Sequence, residues 1–451
     1  MKALIRNIFK NINIQSLDFT RIKKNFFSHA YKLISESSIQ LLLPFFLIKF
    51  WGVANFGIWI MLNSISIILS LLLLRYNHSA QQAMTKELFQ KNNYKSKIVY
   101  SNGLTLVLLN SLFFLVLCLI LYLLATNSNT HLFNFLANAD KGYYLTTLIL
   151  LFSIMIRYVV SFYYHSFYNQ KGQLSTSVYI RNTLNFLSKI SLIIYASISN
   201  DFVNAALLLL LFDLFEWIFF IYLNNKNKTP FTFDSKLISK TELFILFKKS
   251  IPNNIEIYIN NIHAHIGILL FGYFFSEEIV SFIVTAKVLF YYFPYKIFNT
   301  INSVFYFEYA KQIFSKKYQY LTKIIQFQSV VIVLFLFIFI SITYLVGDTV
   351  YNIWIKHFII EKKFMMMLAF SVSLLVLVEL TRTLAKSLNN YLYVTILEFF
   401  LTLMTIGATY YFFSLGFNYI YYFYLLIVQY SIVFIADALC YKKTSKDLNK
   451  S

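Results

Sequence analysis

The stretch KFWGVANFGIWIM, Lys49–Met61, places two glycines, Gly52 and Gly57, between two long apolar runs. Glycine is scarce in this chain, with 10 among 451 residues, so a pair this close together needs a structural reason. Gly52 suits a tight turn, because glycine adopts backbone conformations that other residues avoid. Gly57 lies inside the second run, where a missing side chain lets a neighbouring helix approach closely. The stretch therefore predicts a helical hairpin inside a membrane.

The composition of the whole chain agrees with a membrane location. The chain is 59% hydrophobic and only 13% charged, whereas a soluble domain averages about 45–50% apolar and about 25% charged residues. The fold class predicted is an all-α, polytopic membrane protein. The two cysteines, Cys118 and Cys440, both lie in apolar segments, which argues against a disulfide framework or a cysteine metal site.

Spanning a bilayer takes about 20 mostly apolar residues, and on that length the sequence predicts twelve spans. They cover 29–49, 54–74, 99–125, 143–166, 174–198, 202–223, 254–274, 279–302, 324–346, 364–386, 391–414 and 417–440. The first, fifth and seventh are the most polar of them. The longest interior hydrophilic stretch divides the spans six and six. We therefore expect an N-terminal lobe at 1–223 with a basic cytoplasmic lead-in at 1–28, a cytoplasmic linker at 224–253, and a C-terminal lobe with a basic tail at 254–451.

Basic residues indicate the orientation of these spans. If the N-terminus is cytoplasmic, inside segments hold 29 of the 39 Lys and Arg residues and outside loops hold five. This bias follows the positive-inside rule for an even number of spans with both termini in the cytoplasm. The net charge of +20 is thus explained by orientation and by contact with anionic membrane lipids. A nucleic-acid partner is not expected, because no soluble basic domain is present.

The two halves of the chain resemble each other at a shift of half the chain length. KELFQKN, Lys86–Asn92, aligns with KQIFSKK, Lys311–Lys317, and each follows the second span of its half. At nearly the same shift, WGVANFGIW lies over FSEEIVSFI, so that Gly52 meets Ser276 and Gly57 meets Ser281. Chance matching of apolar sequence is the alternative. A true repeat would give two six-helix lobes, and transporters built from such repeats bind their substrate near the midplane between the halves.

These segments resemble the polysaccharide-transporter branch of the MOP superfamily, whose members include flippases of O-antigen and other lipid-linked oligosaccharides. Five stretches carry the resemblance: FWGVANFGIWIMLNSISIILS (50–70), AMTKELFQKNNYKSK (83–97), FYNQKGQLS (167–175), FGYFFSEEIVSFIVTAKVL (271–289) and GDTVYNIWI (347–355). Ser276 and Ser281 stand where that family usually has glycines. MATE multidrug exporters and lipid II flippases are more distant relatives.

The resemblance implies a MOP/MATE-like fold and a function. Such a protein would flip undecaprenyl-diphosphate-linked oligosaccharides across the bacterial cytoplasmic (inner) membrane by alternating access, for O-antigen, lipopolysaccharide or capsule synthesis. It would be a secondary transporter rather than an enzyme, without a cofactor beyond H⁺ or Na⁺ as a coupling ion. Its expected partners are the lipid-linked oligosaccharide, membrane lipids, a polysaccharide polymerase and a chain-length regulator.

Ionisable residues inside spans are candidate functional groups, since each costs about 2.5–3.5 kcal/mol to insert at mid-bilayer. Five basic residues lie there: Arg157, Arg181, Lys189, Lys287 and Lys296. In the fifth span Ser177, Arg181, Asn185 and Lys189 recur every four residues and so share a helix face. The hypothesis is a cationic lumen that binds the substrate's diphosphate. The alternative for Arg181 and Lys296 is that they reach the lipid headgroups.

Acidic residues in the spans are candidates for ion coupling. Asp213, Glu256, Glu216 and Glu379 form this set, with Asp213 and Glu256 considered first. An intramembrane carboxylate that exchanges H⁺ or Na⁺ can couple transport to a gradient. The alternative is that these acids only neutralise buried cations. Glu379, for example, shares the tenth span with Arg382 and Lys386, which could be its partners.

Two prolines and two histidines complete the set of unusual span residues. Pro44 and Pro294 are predicted kink sites and, with Gly52 and Gly57, predicted packing or gate positions at the outer side. His263 and His265 are two apart on a helix and point away from each other, so no metal site is expected.

Three other classes compete with the flippase hypothesis. A MATE-type multidrug or ion antiporter would share the fold, although cations inside the spans favour an anionic substrate. A membrane enzyme that polymerises or ligates lipid-linked glycans usually needs a large outer loop, and the largest predicted here are short, near 126–142 and 347–363. A purely structural membrane protein would have less reason to keep polar stripes in several helices.

Overall fold

The computed structural model of this chain describes residues 19–77, 79–80, 83–84, 87, 92–127, 141–171, 174–226, 233–300, 302, 309, 318–387 and 392–450. These residues form thirteen α-helices. They are α1 Phe19–Trp51, α2 Val53–Leu69, α3 Asn93–Asn127, α4 Lys141–Lys171, α5 Leu174–Ala196, α6 Phe202–Lys226, α7 Lys240–Asn261, α8 Gly267–Phe274, α9 Glu277–Lys287, α10 Tyr318–Trp354, α11 Lys362–Ser387, α12 Leu392–Ser414 and α13 Ile420–Lys450. Every predicted span overlaps a described helical segment, so the all-α prediction is confirmed. The two stretches of the repeat at 86–91 and 311–317 lie largely outside the described residues, as does the lead-in up to residue 18.

Nine of the described helices are long and apolar enough to cross a membrane by length and composition. Three segments fall below this limit of length and apolarity: α5, the pair α7 and α8, and α9 with the helical residues that follow it up to 300. The fifth and seventh spans were already the polar ones in the sequence. The first span, also expected to be polar, passes the threshold over Ala30–Trp51. Polar helices of this kind are tolerated in a bilayer when their polar faces point into the protein.

Helix α7 begins 14 residues before the predicted seventh span, inside the segment predicted as a cytoplasmic linker. Its start is fixed by Ser239, whose hydroxyl accepts a hydrogen bond from the Glu242 backbone N–H at 3.2 Å. This is the S-x-x-E pattern of a helix N-terminus. A π-helical turn, Ile262–Ile266, joins α7 to α8. A second π turn, Val288–Tyr292, follows α9 and is followed by a helix over 293–300 that contains Pro294.

Positions 52 and 276, paired by the half-chain shift, have the same structural role. Gly52 is the residue before α2 and has φ of +84°, a left-handed backbone conformation that favours glycine. Ser276 is the residue before α9, with φ of −101°, and its hydroxyl accepts a bond from the Ile279 N–H at 3.4 Å. The serine therefore caps a helix where the first half makes a glycine turn. This is the physical reason for its departure from the expected glycine.

The helices that follow these two residues pack directly against each other. A Cβ atom at Gly57 would overlap the Glu277 carbonyl oxygen and lie 3.0 Å from Ser281 Oγ. Ser281 Oγ in turn donates a hydrogen bond to the Val53 carbonyl at 2.6 Å. Residues 57 and 281, also paired by the half-chain shift, thus meet at one crossing of α2 with α9. The crossing joins the two lobes.

One hydrophobic cluster extends across both lobes near this crossing, at the end of the molecule that contains Gly52 and residues 355–361, called here the hairpin end. Its fully buried members include Leu47, Phe56, Ala205, Phe271, Tyr351 and Phe423. Trp354 of α10 adds a bond across the lobes, donating from Nε1 to the Leu41 carbonyl of α1 at 3.2 Å. The hairpin end is therefore packed shut.

The opposite end, called here the basic end, contains residues 75–77, 79–80, 83–84, 87, 92–97 and 233–249. Four further clusters of described residues lie toward it or within single lobes. Two belong to the N-terminal lobe, with Leu246 of α7 packed on one of them, and two belong to the C-terminal lobe. Among the described residues, the lobes therefore share a core at the hairpin end and have separate cores elsewhere.

Substituting Gly57 tests the α2–α9 crossing. We expect Gly57→Ala to lower the unfolding temperature in detergent, because overpacking a tight contact costs about 1–3 kcal/mol. Gly407→Ala is the matched control, since a Cβ at Gly407 meets nothing within 4 Å. The control should unfold at or above the wild-type temperature, given the higher helix propensity of alanine. Equal unfolding temperatures for Gly57→Ala and wild type would contradict the crossing.

Candidate functional site: a charged cavity and a buried ionic network

A cavity of about 330 Å³ lies inside the N-terminal lobe, between α1, α4, α5 and α6. Its lining includes three basic and three acidic side chains: Lys32, Arg157, Arg181, Glu36, Asp213 and Glu216. Polar residues of α5 complete the wall, among them Asn182, Asn185 and Ser188. The structure thus brings together four of the predicted site residues, but it surrounds them with equal numbers of formal charges of each sign. The lining is charge-balanced rather than cationic.

Arg157 and Asp213 form the central ion pair of this cavity. Arg157 Nε lies 3.3 Å from Asp213 Oδ2, and Arg157 Nη2 donates to Ser153 Oγ at 3.3 Å. The Ser153 hydroxyl also donates to Asp213. The arginine side chain is 42% exposed and the aspartate 14%, so the pair lies at the cavity wall with the acid on the buried side. Asp213 is therefore the counter-ion of Arg157, and its role in ion coupling stays a prediction.

Two further predicted cations act on the same pair. Lys189 does not line the cavity, but its charge interacts with those of Arg157 and Asp213. Arg181 interacts electrostatically with Asp213 and Glu216. The polar face of α5 that the sequence indicated is thus turned toward the acids of α6. The side chain of Ser177, the first member of that face, lies outside the described part.

Lys296 links the cavity to the other lobe. Its Nζ lies 2.7 Å from Glu36 Oε2, and each side chain is about one-quarter exposed. Glu36 is on α1, whereas Lys296 is on the helix that continues α9 beyond the π turn. This ion pair therefore joins the N-terminal and C-terminal lobes at the edge of the cavity.

Lys287, the fifth predicted cation, is separate from the other four. It is 3% exposed in the C-terminal lobe. Its Nζ lies 5.3 Å from the ring centroid of Tyr292 and 5.7 Å from that of Tyr291, in cation–π geometry. The sequence analysis grouped Lys287 with the other four predicted cations in one lumen. Periodicity identifies a polar face of a helix but does not identify what that face contacts.

The C-terminal lobe contains a buried ionic network of its own. Arg382 of α11 donates to Glu398 Oε2 of α12 at 2.7 Å and to Asp437 Oδ2 of α13 at 3.2 Å. All three side chains are at most 5% exposed. The charge of Glu379 also acts on Arg382. The sequence analysis expected partners on α11 itself, whereas the two ion pairs of Arg382 are made with acids on two other helices. The side chain of Lys386 lies outside the described part.

The two histidines lie within the π turn and point to different neighbours. His263 Nε2 is bonded to Thr402 Oγ1 at 2.9 Å and to Gln429 Nε2 at 2.8 Å, both in the C-terminal lobe. His265 Nδ1 is 3.1 Å from Ser64 Oγ of α2, in the N-terminal lobe. They therefore contact opposite lobes. In the part of the chain that the structure describes, no group of three or more His, Cys, Asp or Glu could hold a metal ion.

The remaining predicted ion-coupling residue, Glu256 on α7, is apart from the N-terminal cavity, and its charge acts on Tyr295. Pro44 lies within α1, and Pro294 follows the second π turn. Sequence reasoning missed Lys32, Asp437 and Gln429 as site residues. A single polar residue in an apolar span, such as Gln429, gives no periodic signal, so only the folded contacts identify it.

The fold matches solved structures of MOP-superfamily transporters. An inward-facing multidrug resistance MATE transporter superposes with a TM-score of 0.67 at 12% identity, covering 92% of this chain and 96% of that one. A Vibrio cholerae MATE transporter has a TM-score of 0.63 at 14% identity, covering 95% and 98%. An outward-facing MATE transporter has a TM-score of 0.58 at 11% identity, covering 93% and 96%. No protein-family model and no curated protein matches the chain.

At these identities the likeness establishes the fold. The predicted MOP/MATE-like architecture of a multi-pass membrane protein is confirmed.

Replacing Arg382 tests the buried ionic network. We expect Arg382→Gln to cost about 3–5 kcal/mol of stability, because removing one partner leaves buried carboxylates without a counter-charge. Lys97→Gln is the control, since Lys97 lies 3.9 Å from Asp234 and both side chains are about one-third exposed, and such pairs contribute about 0–1 kcal/mol. Thermal unfolding in detergent measures both. Similar losses in the two variants would contradict the assignment.

Proposed function

We propose that this chain is a secondary transporter of the MOP superfamily that works by alternating access. The observation that carries the proposal is the charged N-terminal cavity in a molecule whose hairpin end is closed by a core shared between the lobes. A solute entering from the basic end would reach the cavity and be blocked at the hairpin end. Separation of the lobes at the α2–α9 crossing would then release it on the other side.

A MATE-type antiporter is the form of this function that the fold comparisons support best. The balanced lining fits such a role, because three acids and three bases can accept solutes of either charge once an internal pair opens. Asp213 is the coupling residue in this proposal. A proton or Na⁺ at its carboxylate would weaken its hold on Arg157, which lies 3.3 Å away, and would free the guanidinium for the substrate.

A flippase of lipid-linked oligosaccharides is the second candidate, and a specific arrangement favours it. Lys32 and Arg181 line the cavity, and Lys296 is at its edge, bound to Glu36 on the other lobe. A diphosphate head group needs counter-charge to cross an apolar barrier, and Arg and Lys supply it in complementary ways. In this version an anionic head group replaces Glu36 as the partner of Lys296.

Transport in proteoliposomes distinguishes the two candidates. One arm measures efflux of ethidium, an organic cation, driven by an imposed H⁺ or Na⁺ gradient. The other measures translocation of a fluorescent undecaprenyl-diphosphate oligosaccharide. Gradient-driven efflux of the cation alone supports the antiporter, and translocation of the lipid alone supports the flippase. Failure of both in a folded, reconstituted protein overturns the transporter proposal.

Two variants test the cavity in whichever assay is active. Asp213→Asn and Arg181→Ala are each expected to lower the transport rate by about tenfold, since a hydrogen bond to a charged group is worth about 1.5–3 kcal/mol. Lys362→Gln is the matched control, because Lys362 lies at the hairpin end with its Nζ over the Tyr344 ring. Rates equal to wild type in both cavity variants would show that transport does not use this cavity.

We also propose that the basic end faces the cytoplasm of a bacterial cell. Single cysteines at Ser235 and at Ile359, which is 89% exposed, report the two ends when introduced into a chain whose Cys118 and Cys440 are serine. A membrane-impermeant maleimide should label Ile359→Cys in intact cells and Ser235→Cys only after permeabilisation. The reverse pattern would invert the orientation.

A further inference from the structure

The start of α7 and the chain before it, residues 233–251, form a bent segment at the basic end, called here the elbow. Helix α7 enters its predicted membrane span only at residue 254, so these residues lie outside the span. The part of the elbow within α7 has two distinct faces. One is docked on the N-terminal lobe, and the other is exposed.

The docked face is held by polar contacts and by burial. Leu246 and Ser250 are each 1% exposed and Asn254 is 3% exposed, which places one buried residue on every turn. Asn254 Oδ1 accepts a hydrogen bond from the Arg75 backbone N–H at 2.7 Å. Earlier in the elbow, Asn102 of α3 donates to the Leu237 carbonyl at 2.9 Å. Asn102 also accepts from the Ser239 N–H at 2.9 Å. These contacts fix how the elbow is turned relative to the lobe.

The exposed face is apolar and basic. Phe244, Phe247, Lys248 and Ile251 follow the spacing i, i+3, i+4, i+7 and therefore form one stripe. The three apolar members are 66%, 40% and 42% exposed, in chain order. Lys249, also exposed, adjoins the stripe.

Other exposed residues of the elbow and of the start of α3 are of the same two kinds. Phe233 is 49% exposed and Tyr94, at the start of α3, is 68% exposed. Lys236 and Lys240 of the elbow are also exposed. Asp234, an acid in the same region, lies 3.9 Å from Lys97 and is thereby partly neutralised. The surface as a whole combines exposed aromatic rings with positive charge.

The position of the stripe indicates what binds to it. At 1.5 Å per residue, positions 251 and 247 lie about 5 and 11 Å along the helix from the start of the span, and the headgroup region extends about 5–8 Å beyond each side of the hydrocarbon core. Helices that lie at a membrane surface combine aromatic and aliphatic side chains with lysines, which bind anionic lipids. A water-exposed protein-docking face would have no reason to continue directly into a membrane span.

We propose that the exposed face of the elbow binds anionic phospholipid headgroups and holds the elbow against the bilayer surface. Phe244, Phe247 and Ile251 enter the border of the acyl region, and Lys248 and Lys249 contact the headgroup phosphates. This role is independent of what the cavity transports.

The experiment uses the full chain reconstituted in phosphatidylcholine vesicles with a trace of spin-labelled phosphatidylglycerol or spin-labelled phosphatidylcholine. Electron paramagnetic resonance gives the relative association of each lipid with the protein. We expect Lys248→Gln/Lys249→Gln to reduce the preference for phosphatidylglycerol by up to about fivefold per lysine at low salt. Lys362→Gln/Lys363→Gln is the matched control, an adjacent lysine pair at the hairpin end, and should keep the wild-type preference. Equal preference in all three proteins overturns the proposal.

A second readout covers the case in which the double variant does not reconstitute. In Phe244→Trp, brominated phosphatidylglycerol should quench the added fluorescence more strongly than brominated phosphatidylcholine. Equal quenching by both lipids would show apolar contact without anion recognition and overturn the lipid-binding role of the lysines. No added quenching would show that the face is turned to water or covered by a protein.

Discussion

The close approach of α2 and α9 at Gly57 is the contact on which the arrangement of the lobes depends. No Cβ fits between Gly57 and the Glu277 carbonyl, and Ser281 uses the closeness to bond the Val53 carbonyl. Lipid tails are as apolar as the helices themselves, so such backbone proximity, rather than a hydrophobic effect between helices, brings spans together. The shared core of the hairpin end forms around this crossing.

The two lobes differ in the surroundings of their charged side chains. In the C-terminal lobe Arg382 is enclosed by two carboxylates from two helices, and all three groups are nearly inaccessible. In the N-terminal lobe the Arg157 guanidinium is 42% exposed and opens onto a cavity. A closed network of the first kind fixes the packing of α11, α12 and α13. An open pair of the second kind can exchange its partner for a solute. The buried charges described here are thus enclosed in one lobe and open to a cavity in the other.

Local sequence patterns predicted the helices and the close packing at Gly57, because each depends on residues near each other in the chain, while the exact lobe boundaries stay a prediction. The S-x-x-E pattern at Ser239 also marks the start of α7, although the length of the apolar run alone places the span start later. Contacts between helices that are distant in the chain could not be predicted in the same way. The polar face of α5 was visible as a period of four residues, whereas Arg382 pairs with acids 16 and 55 residues away that have no pattern in common. Lys287 shows the same helical spacing of polar residues as the cavity residues. Its environment is different, and periodicity does not report the environment of a side chain.

The π turn at Ile262–Ile266 has a mechanical consequence for the whole molecule. A π turn adds one residue to a helical turn, so the helix beyond it is rotated by about 100° relative to an uninterrupted helix. Before the turn, α7 is docked on the N-terminal lobe through Asn254. Within the turn, His263 is bonded to the C-terminal lobe and His265 to α2. The continuous helix from α7 to α8 is thus bonded to both lobes at positions no more than 11 residues apart. Any movement of one lobe relative to the other must break one of these bonds or change the twist of the helix that carries them.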